Sequence, residues 1–185
     1  LSIIKNIIFW VDIIPAEQSY QNAIFARPFN DKNSISQQLT DDKFYIKSNF
    51  HGYGGKSYKC IEVNEKIYLI WVDQISKALW LQIFKVQKLI SKNNNEYLVS
   101  DTEPKQITKA MECNFDSSFV ITKNNILYGL CELENRDYLF SLNLKNTQQE
   151  IRKIKKFDNF VGNLSSNNSS TLLSWIEWGT PYMPW

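Results

Sequence analysis

The sequence predicts an all-β protein built from a repeated strand–turn–strand unit. Three observations support this prediction. β-Branched and aromatic residues are abundant, apolar residues alternate along short segments, and no segment has the period of a useful amphipathic helix. Aromatic residues make up 14% of the 185 residues, with six Trp and nine Tyr, and hydrophobic residues make up 43%. That apolar content is enough for a chain of this length to bury a core.

A loose internal repeat runs along the chain. The segment FWVD at residues 9–12 recurs as IWVD at residues 70–73, and in each copy a polar turn and a second apolar strand follow. Two further copies begin at NILYGLCE and at TLLSWIEW. The corresponding aromatic positions lie 61, 57 and 47 residues apart, at Trp10, Trp71, Tyr128 and Trp175.

Hairpin repeats of about this length are typical of β-propeller blades. The triplets Gln38–Thr40 and Gln106–Thr108 follow the second strand of two copies, and a further strand candidate comes after each triplet. Each repeat therefore offers about four strands, the number in a blade. We predict a partial β-propeller over residues 1–185, with about three to four blades of four-stranded antiparallel sheets, truncated at both ends. A β-sandwich or a closed barrel also has short strands, but its hairpins are shorter than this spacing.

Two segments have the residue pattern of strands at different depths. In Tyr138–Leu144 the apolar side chains at 138, 140, 142 and 144 share one face at a period of two. Leu79–Phe84 is apolar on both faces, which predicts an inner strand packed between neighbouring blades.

Charge and cysteine content exclude several classes of function. A net charge of +2, from 21 basic and 19 acidic side chains, indicates no nucleic-acid partner. Cys60, Cys113 and Cys131 are widely spaced, without C-x-x-C, so we expect buried free thiols in a reducing, cytoplasmic location and no zinc site. No apolar run approaches the ~20 residues of a membrane span. We expect no cofactor, no metal and no membrane partner.

The segment Phe50–Ser57 is the densest motif of the chain. Its Gly-Lys-Ser ending resembles a phosphate-binding loop, but Phe50 stands where that loop needs a glycine. We expect instead a tight turn into a strand, with glycine at positive φ. His51 is the only histidine, and no G-x-S-x-G motif occurs, so a structural role is favoured for it.

Three other features have a structural explanation. Glu132 and Glu134 are interpreted as solvated residues beside a hairpin turn rather than as an acid–base pair. The basic cluster Arg152–Lys156 is interpreted as a solvated strand or loop edge. The ending Trp175–Trp185, with two prolines and three Trp, predicts a rigid aromatic hairpin loop that shapes a binding surface or packs on its own blade.

Two motifs resemble a known family. His51-Gly52-Tyr53-Gly54-Gly55 resembles the H-E-Y-G-G signature in the propeller of prolyl oligopeptidase family serine peptidases, in the acylaminoacyl-peptidase-like and dipeptidyl-aminopeptidase-like branch. Pro181-Tyr182-Met183-Pro184-Trp185 resembles the P-N-M-P-W of that branch, which follows a W-x-x-W strand matched here by Trp175 and Trp178. Both motifs come in the order of the family, and Pro15-Ala16-Glu17 resembles a degraded R-P-x-E hairpin.

The sequence departs from the family at Gly52, Tyr182 and Ile14, which replace a glutamate, an asparagine and an arginine. The resemblance implies a non-catalytic propeller that gates and positions short peptides for a C-terminal α/β-hydrolase domain, where the catalytic Ser, Asp and His of the family lie and which residues 1–185 lack. The implied partners are that domain and a peptide substrate. The implied substrate-channel residues are His51, Gly52, Tyr53, Gly54, Gly55, Pro181, Tyr182, Met183, Pro184 and Trp185.

Two other functions fit a propeller. A stand-alone propeller would act as a protein-interaction scaffold. A sugar-binding or glycosidase propeller would need convergent carboxylates on one face, and the sequence gives no sign of them.

Overall fold

The computed structural model describes residues 1–15, 20–31, 33–88, 96–111 and 113–182. These residues form a short 3₁₀ turn at Phe50–Gly52 and no α-helix. None of them belongs to a helix with the length and hydropathy that crossing a membrane requires. The strands, in chain order, are β1 (Ser2–Ile4), β2 (Ile7–Pro15), β3 (Tyr20–Pro28), β4 (Gln37–Gln38), β5 (Tyr58–Val63), β6 (Lys66–Asp73), β7 (Ala78–Lys88), β8 (Glu96–Ser100), β9 (Lys105–Gln106), β10 (Cys113–Ile121), β11 (Ile126–Leu133), β12 (Arg136–Asn143), β13 (Arg152–Lys156), β14 (Phe160–Ser166) and β15 (Leu173–Trp178).

The strands of the described residues form four antiparallel sheets, each made of consecutive strands. The first sheet has the order β1-β2-β3-β4, the second β5-β6-β7-β8 with β9 also paired to β7, the third β10-β11-β12-β13, and the fourth β14-β15. The first strand of each sheet contacts the first strand of the next. Sheets that meet along their first strands and extend outwards are propeller blades. The predicted partial β-propeller is therefore confirmed, with two to five strands per sheet rather than a uniform four.

The core lies between the faces of adjacent sheets, in three apolar clusters. In β6, alternate side chains face opposite clusters: Leu69 and Trp71 pack towards the first sheet, and Ile70 packs towards the third. β7 behaves in the same way, because Phe84 faces the first sheet whereas Leu79 faces the third. The prediction that residues 79–84 form an inner strand buried on both faces is confirmed.

The third sheet also matches its sequence pattern. Tyr138, Phe140, Leu142 and Leu144 all pack in the cluster between the second and third sheets. At the edge of the third sheet, all five residues of β13 are exposed. The interpretation of this basic cluster as a solvated strand edge is confirmed, and lysines at an edge strand disfavour pairing with another chain.

A repeated hydrogen-bond pattern explains the triplets Gln38–Thr40 and Gln106–Thr108. The threonine hydroxyl oxygen accepts a hydrogen bond from a strand N–H, that of Ile24 at 3.0 Å in the first copy and that of Leu79 at 2.9 Å in the second. In both copies the glutamine amide donates to the carbonyl oxygen of the threonine, at 2.8 and 2.7 Å. Each triplet therefore binds to the third strand of its blade through the hydroxyl group of its threonine.

Replacement of Thr108 by valine is expected to lower the free energy of unfolding by about 1–2 kcal/mol, because the buried N–H of Leu79 loses its acceptor. Urea denaturation measures the change. Thr102→Val is the matched control, since the Thr102 hydroxyl accepts from Ile83 N–H at an exposed site where water replaces it. Equal destabilisation by both variants would contradict the role given to Thr108.

The aromatic ending departs from expectation. Trp175 and Trp178 lie in β15, which pairs with β14, so the loop begins only at Gly179. The prediction of a hairpin loop from residue 175 is wrong for residues 175–178, because the alternating Trp-Ile-Glu-Trp segment finds a strand partner. Pro181 has no N–H to continue the ladder. Met183, Pro184 and Trp185 lie outside the described residues, as do Ala16 and Glu17 of the predicted R-P-x-E-like hairpin.

The three cysteines are free, and Cys60 and Cys131 are buried. Burial raises the pKa of the Cys60 thiol from 9.0 to about 12. The neighbouring Cys113 thiol and burial both raise the pKa of Cys131. Both thiols thus remain protonated at neutral pH and pack as small apolar groups.

The raised pKa of Cys60 predicts a pH dependence of stability. The unfolded thiol loses its proton above about pH 9 and the folded thiol only above about pH 12, so stability is full below pH 9 and falls between these values. The slope from this group approaches about 1.4 kcal/mol per pH unit. Urea denaturation between pH 8 and about 10.5 should give a steeper loss for the wild type than for Cys60→Ala. Parallel curves for the two proteins would contradict the prediction.

Candidate functional site

The segment His51–Gly55 forms the turn predicted from its glycines. The backbone φ is +52° at His51, +73° at Gly52 and +82° at Gly54, where a side chain is disfavoured. Gly55 is required for a different reason, because a Cβ atom there would lie 2.9 Å from Oδ1 of Asp116. The turn leads directly into the strand β5, as expected.

The buried hydroxyl of Ser48 holds this turn closed. Its Oγ accepts hydrogen bonds from the N–H of Phe50 at 3.2 Å and of Gly55 at 3.3 Å, and it donates to the carbonyl oxygen of Phe115 at 2.6 Å. The last bond ties the turn to the third sheet. Sequence reasoning missed Ser48, since a serine in a connecting segment carries no signal of burial.

The imidazole of His51 is held between the third and fourth sheets. Its Nε2 lies 2.7 Å from Oδ2 of Asp137, and the two side chains are only 10% and 5% exposed. The same Oδ2 accepts a hydrogen bond from the N–H of Val161 at 2.8 Å. The His51 ring stacks on Phe50, with centroids 3.8 Å apart, and meets the edge of Trp178 at 5.9 Å. These contacts give His51 a structural role at the sheet junction.

Glu132 corrects one sequence interpretation. It is half-buried, and its Oε2 accepts hydrogen bonds from the N–H of His51 at 3.1 Å and from Nδ2 of Asn114 at 3.2 Å. The interpretation of Glu132 as a solvated residue is wrong, because the register places it opposite Asn114 and beside the glycine-rich turn. Glu134 is exposed in the hairpin turn with a φ of +52°, as expected.

A cleft of about 610 Å³ lies between the glycine-rich turn and the strands β14 and β15. It is lined by Phe50, His51, Tyr53, Gly54, Gly55, Lys56, Asp116, Gly162, Asn163 and Trp178. We call this cavity the aromatic cleft. Of the predicted site residues it includes His51, Tyr53, Gly54 and Gly55. Gly52, Pro181 and Tyr182 are exposed and outside its lining.

The two tryptophans of the W-x-x-W segment face opposite sides of β15. Trp175 packs edge-on against buried Phe157, with ring centroids 5.5 Å apart. Trp178 lies over Gly162, where a Cβ atom would come within 3.0 Å of its ring, and so reaches the aromatic cleft. Residues three apart on a strand point to opposite faces, so this division was available from the sequence.

Asp116 brings a carboxylate to the cleft. It is 6% exposed, and its Oδ2 accepts a hydrogen bond from the hydroxyl of Ser118. Lys56 lies at the cleft as well, with an exposed side chain. No cluster of three His, Cys, Asp or Glu side chains suited to a metal ion occurs among the described residues.

No protein-family model matches the chain, and no curated protein matches it in sequence. Solved structures do match its fold, and two of them are described here. One is a puromycin-hydrolyzing peptidase of Mycobacterium tuberculosis, with a TM-score of 0.72 and 15% identity over 100% of this chain. The other is a puromycin hydrolase, with a TM-score of 0.71 and 13% identity over 99% of it. The chain spans 28% of the length of each. At these identities the likeness shows the fold alone, and the partial propeller described above is a fold that occurs within both peptidases.

Proposed function

We propose that this chain is the non-catalytic propeller portion of a serine peptidase that acts on short peptides. In this proposal it restricts access and positions substrate for an α/β-hydrolase domain that follows it in the parent chain. Two kinds of evidence support the proposal. The motifs at residues 51–55 and 181–185 resemble the propeller of prolyl oligopeptidase family peptidases, and the fold is similar to part of two peptidases.

The observation that carries the proposal is that two segments distant in sequence, the turn at residues 51–55 and the strand β15, line the same cleft. The glycine-rich turn and the W-x-x-W strand both carry the family resemblance, and Gly55 and Trp175 lie 120 residues apart in sequence. Tyr53 to Gly55 of the turn and Trp178 of the strand line the same aromatic cleft. Distant motifs that converge on one concave, partly apolar surface are expected of a ligand-facing site.

The cleft suggests how the propeller would act on a peptide. Tyr53 is 78% exposed at the cleft and offers an aromatic surface to an apolar side chain. Such contacts orient the peptide, while a serine of the hydrolase domain would attack the carbonyl carbon and release the amine. This chemistry needs no cofactor. The free thiols fit the reducing environment of the cytoplasm, which we include in the proposal.

Peptide hydrolysis by the full-length protein tests the proposal. Tyr53→Ala and Trp178→Ala are each expected to raise KM for short chromogenic peptides about 10-fold, with kcat changed less than about 2-fold, because they remove substrate binding and leave the reacting groups in place. Tyr97→Ala is the control, since Tyr97 lies on β8 away from the cleft. A full-length protein without hydrolase activity would support the protein-interaction scaffold instead. An unchanged KM in both variants would show that the aromatic cleft does not bind the substrate.

A further inference from the structure

The outer edge of the third sheet is open. Strand β13 pairs with β12 on one side, and on its other side residues 152–156 form no backbone hydrogen bond with any residue that the structure describes. All five side chains of β13 are exposed. An edge strand presents unpaired N–H and C=O groups along its free side, where an extended peptide can pair with them as an added strand.

The positive charge of this edge is concentrated and without partners. Four of the five residues of β13 are cations, in a chain whose net charge is only +2. None of the four forms an ion pair with a described residue. Glu150, just before the strand, is bound to Lys109 instead, at 3.0 Å. The four charges are therefore available to an anionic partner.

The register of β13 places cations on both faces of the edge. A bulge shifts the pairing, so that Lys155 lies opposite Leu139 and Lys153 lies opposite Phe140. Opposite residues share a face, and Leu139 and Phe140 belong to different clusters of the core. Each lysine lies over an aromatic ring, with its Nζ 5.0 Å or 4.6 Å from the centroid, which holds the charge beside the edge. A strand added to β13 would meet a positive charge on each of its faces.

Charge also limits which chains fit this edge. Lysines on an edge strand disfavour pairing with a neutral or basic strand, and the β13 of a second copy would bring four more cations. Like charges placed side by side oppose association, whereas opposite charges orient it. Ile154, which is 48% exposed between the two pairs of cations, offers an apolar contact at the centre of the edge. The pattern indicates a partner with carboxylates on both sides of an apolar residue.

We propose that the outer edge of β13 binds an acidic, extended segment of a partner protein as an added strand. Main-chain hydrogen bonds hold the segment to the edge, and its carboxylates meet the four cations at Arg152, Lys153, Lys155 and Lys156. This surface is separate from the aromatic cleft, whose lining includes no residue of β13. The proposal does not depend on the proposed peptidase function.

Peptide binding to the 185-residue chain, measured by fluorescence anisotropy, tests this proposal. The probe is acetyl-TEEVEET-amide. Its two controls are the uncharged acetyl-TQQVQQT-amide and the acidic peptide with its backbone N–H groups methylated. Both controls should bind about 10-fold more weakly, since one lacks the charge and the other cannot complete the hydrogen-bond ladder. Hydrogen exchange of the wild type should show new protection at residues 152–156 with the acidic probe alone.

Substitutions in β13 test each face of the edge. Lys153→Gln and Lys155→Gln should each weaken binding about 3-fold, and replacement of all four cations by glutamine should weaken it about 10-fold or more. These side chains are exposed, so the variants should fold. Lys47→Gln is the matched control and should bind as the wild type does. Lys47 is also exposed and lies over an aromatic ring, but in the connection between the first and second sheets.

Equal binding of the acidic and uncharged peptides to the wild type overturns the proposal, and so does an absence of binding at about 1 mM. Equal binding of the methylated peptide, or binding of the acidic probe without protection of residues 152–156, would indicate general charge attraction and overturns the added strand as well. None of these outcomes bears on the peptidase proposal, which depends on hydrolysis by the full-length protein.

Discussion

Replacement of Asp137 by alanine is expected to lower the free energy of unfolding by about 3 kcal/mol. One carboxylate oxygen accepts from the ring of His51 and from the N–H of Val161, and the side chain is 5% exposed. The substitution leaves both donors without an acceptor at a site that water scarcely reaches. Urea denaturation of the chain measures the loss.

Two comparisons test whether this loss comes from the hydrogen bonds that the Asp137 carboxylate accepts from His51 and Val161. Asp137→Asn keeps an acceptor oxygen and should lose about half as much, and Asp158→Ala, at an exposed position, should lose under about 0.5 kcal/mol. In a double-mutant cycle, His51→Ala and Asp137→Ala should couple by more than about 1 kcal/mol. Additive effects of the two substitutions would show that the His51 contact contributes nothing to stability.

Replacement of Gly129 by alanine is expected to lower the free energy of unfolding by about 2–3 kcal/mol. A Cβ atom there would lie 2.6 Å from Cζ of Phe140 and 2.9 Å from Cδ1 of Phe119, inside the core between the second and third sheets. Both rings are buried, so the added methyl group forces them off their preferred positions. Thermal or urea denaturation measures the change.

A smaller side chain at position 140 tests whether the steric clash with Phe140 causes this loss. In the presence of Phe140→Leu, the added cost of Gly129→Ala should fall to under about 1 kcal/mol, because the methyl group then enters the space that the ring leaves. Gly162→Ala should be milder, since its Cβ atom would lie 3.0 Å from the half-buried Trp178 ring, whereas the Cβ atom of Gly129→Ala would lie 2.6 Å from a fully buried ring. The same cost for Gly129→Ala with and without Phe140 would rule out the steric explanation.

The fold was predictable because its signals are local. A hairpin of a blade combines period-two alternation with a nearby turn, and the triplets Gln38–Thr40 and Gln106–Thr108 repeat because each makes the same bonds to the third strand of its blade. The loop predicted from residue 175 was placed too early, because the prolines and tryptophans of residues 175–185 resemble a loop when the partner strand of β15 is not considered.

The site was only partly predictable because its contacts join distant segments. The glycine-rich turn was recognised from its own residues, but its partners lie in other sheets. His51 and Asp137 are 86 residues apart, and Ser48 and Phe115 are 67 apart. The close approach of the turn to Asp116 in β10 depends on the missing side chain of Gly55. A single sequence contains no signal for such pairings.

Labelling with a fluorophosphonate probe tests the central claim most directly, because the probe forms a covalent bond with an activated serine. The full-length protein should be labelled at one serine beyond residue 185, located by peptide mass spectrometry, and the 185-residue chain should remain unlabelled. A labelled serine within residues 1–185 would contradict the non-catalytic role of the propeller. A full-length protein that does not react would contradict its place in a serine peptidase.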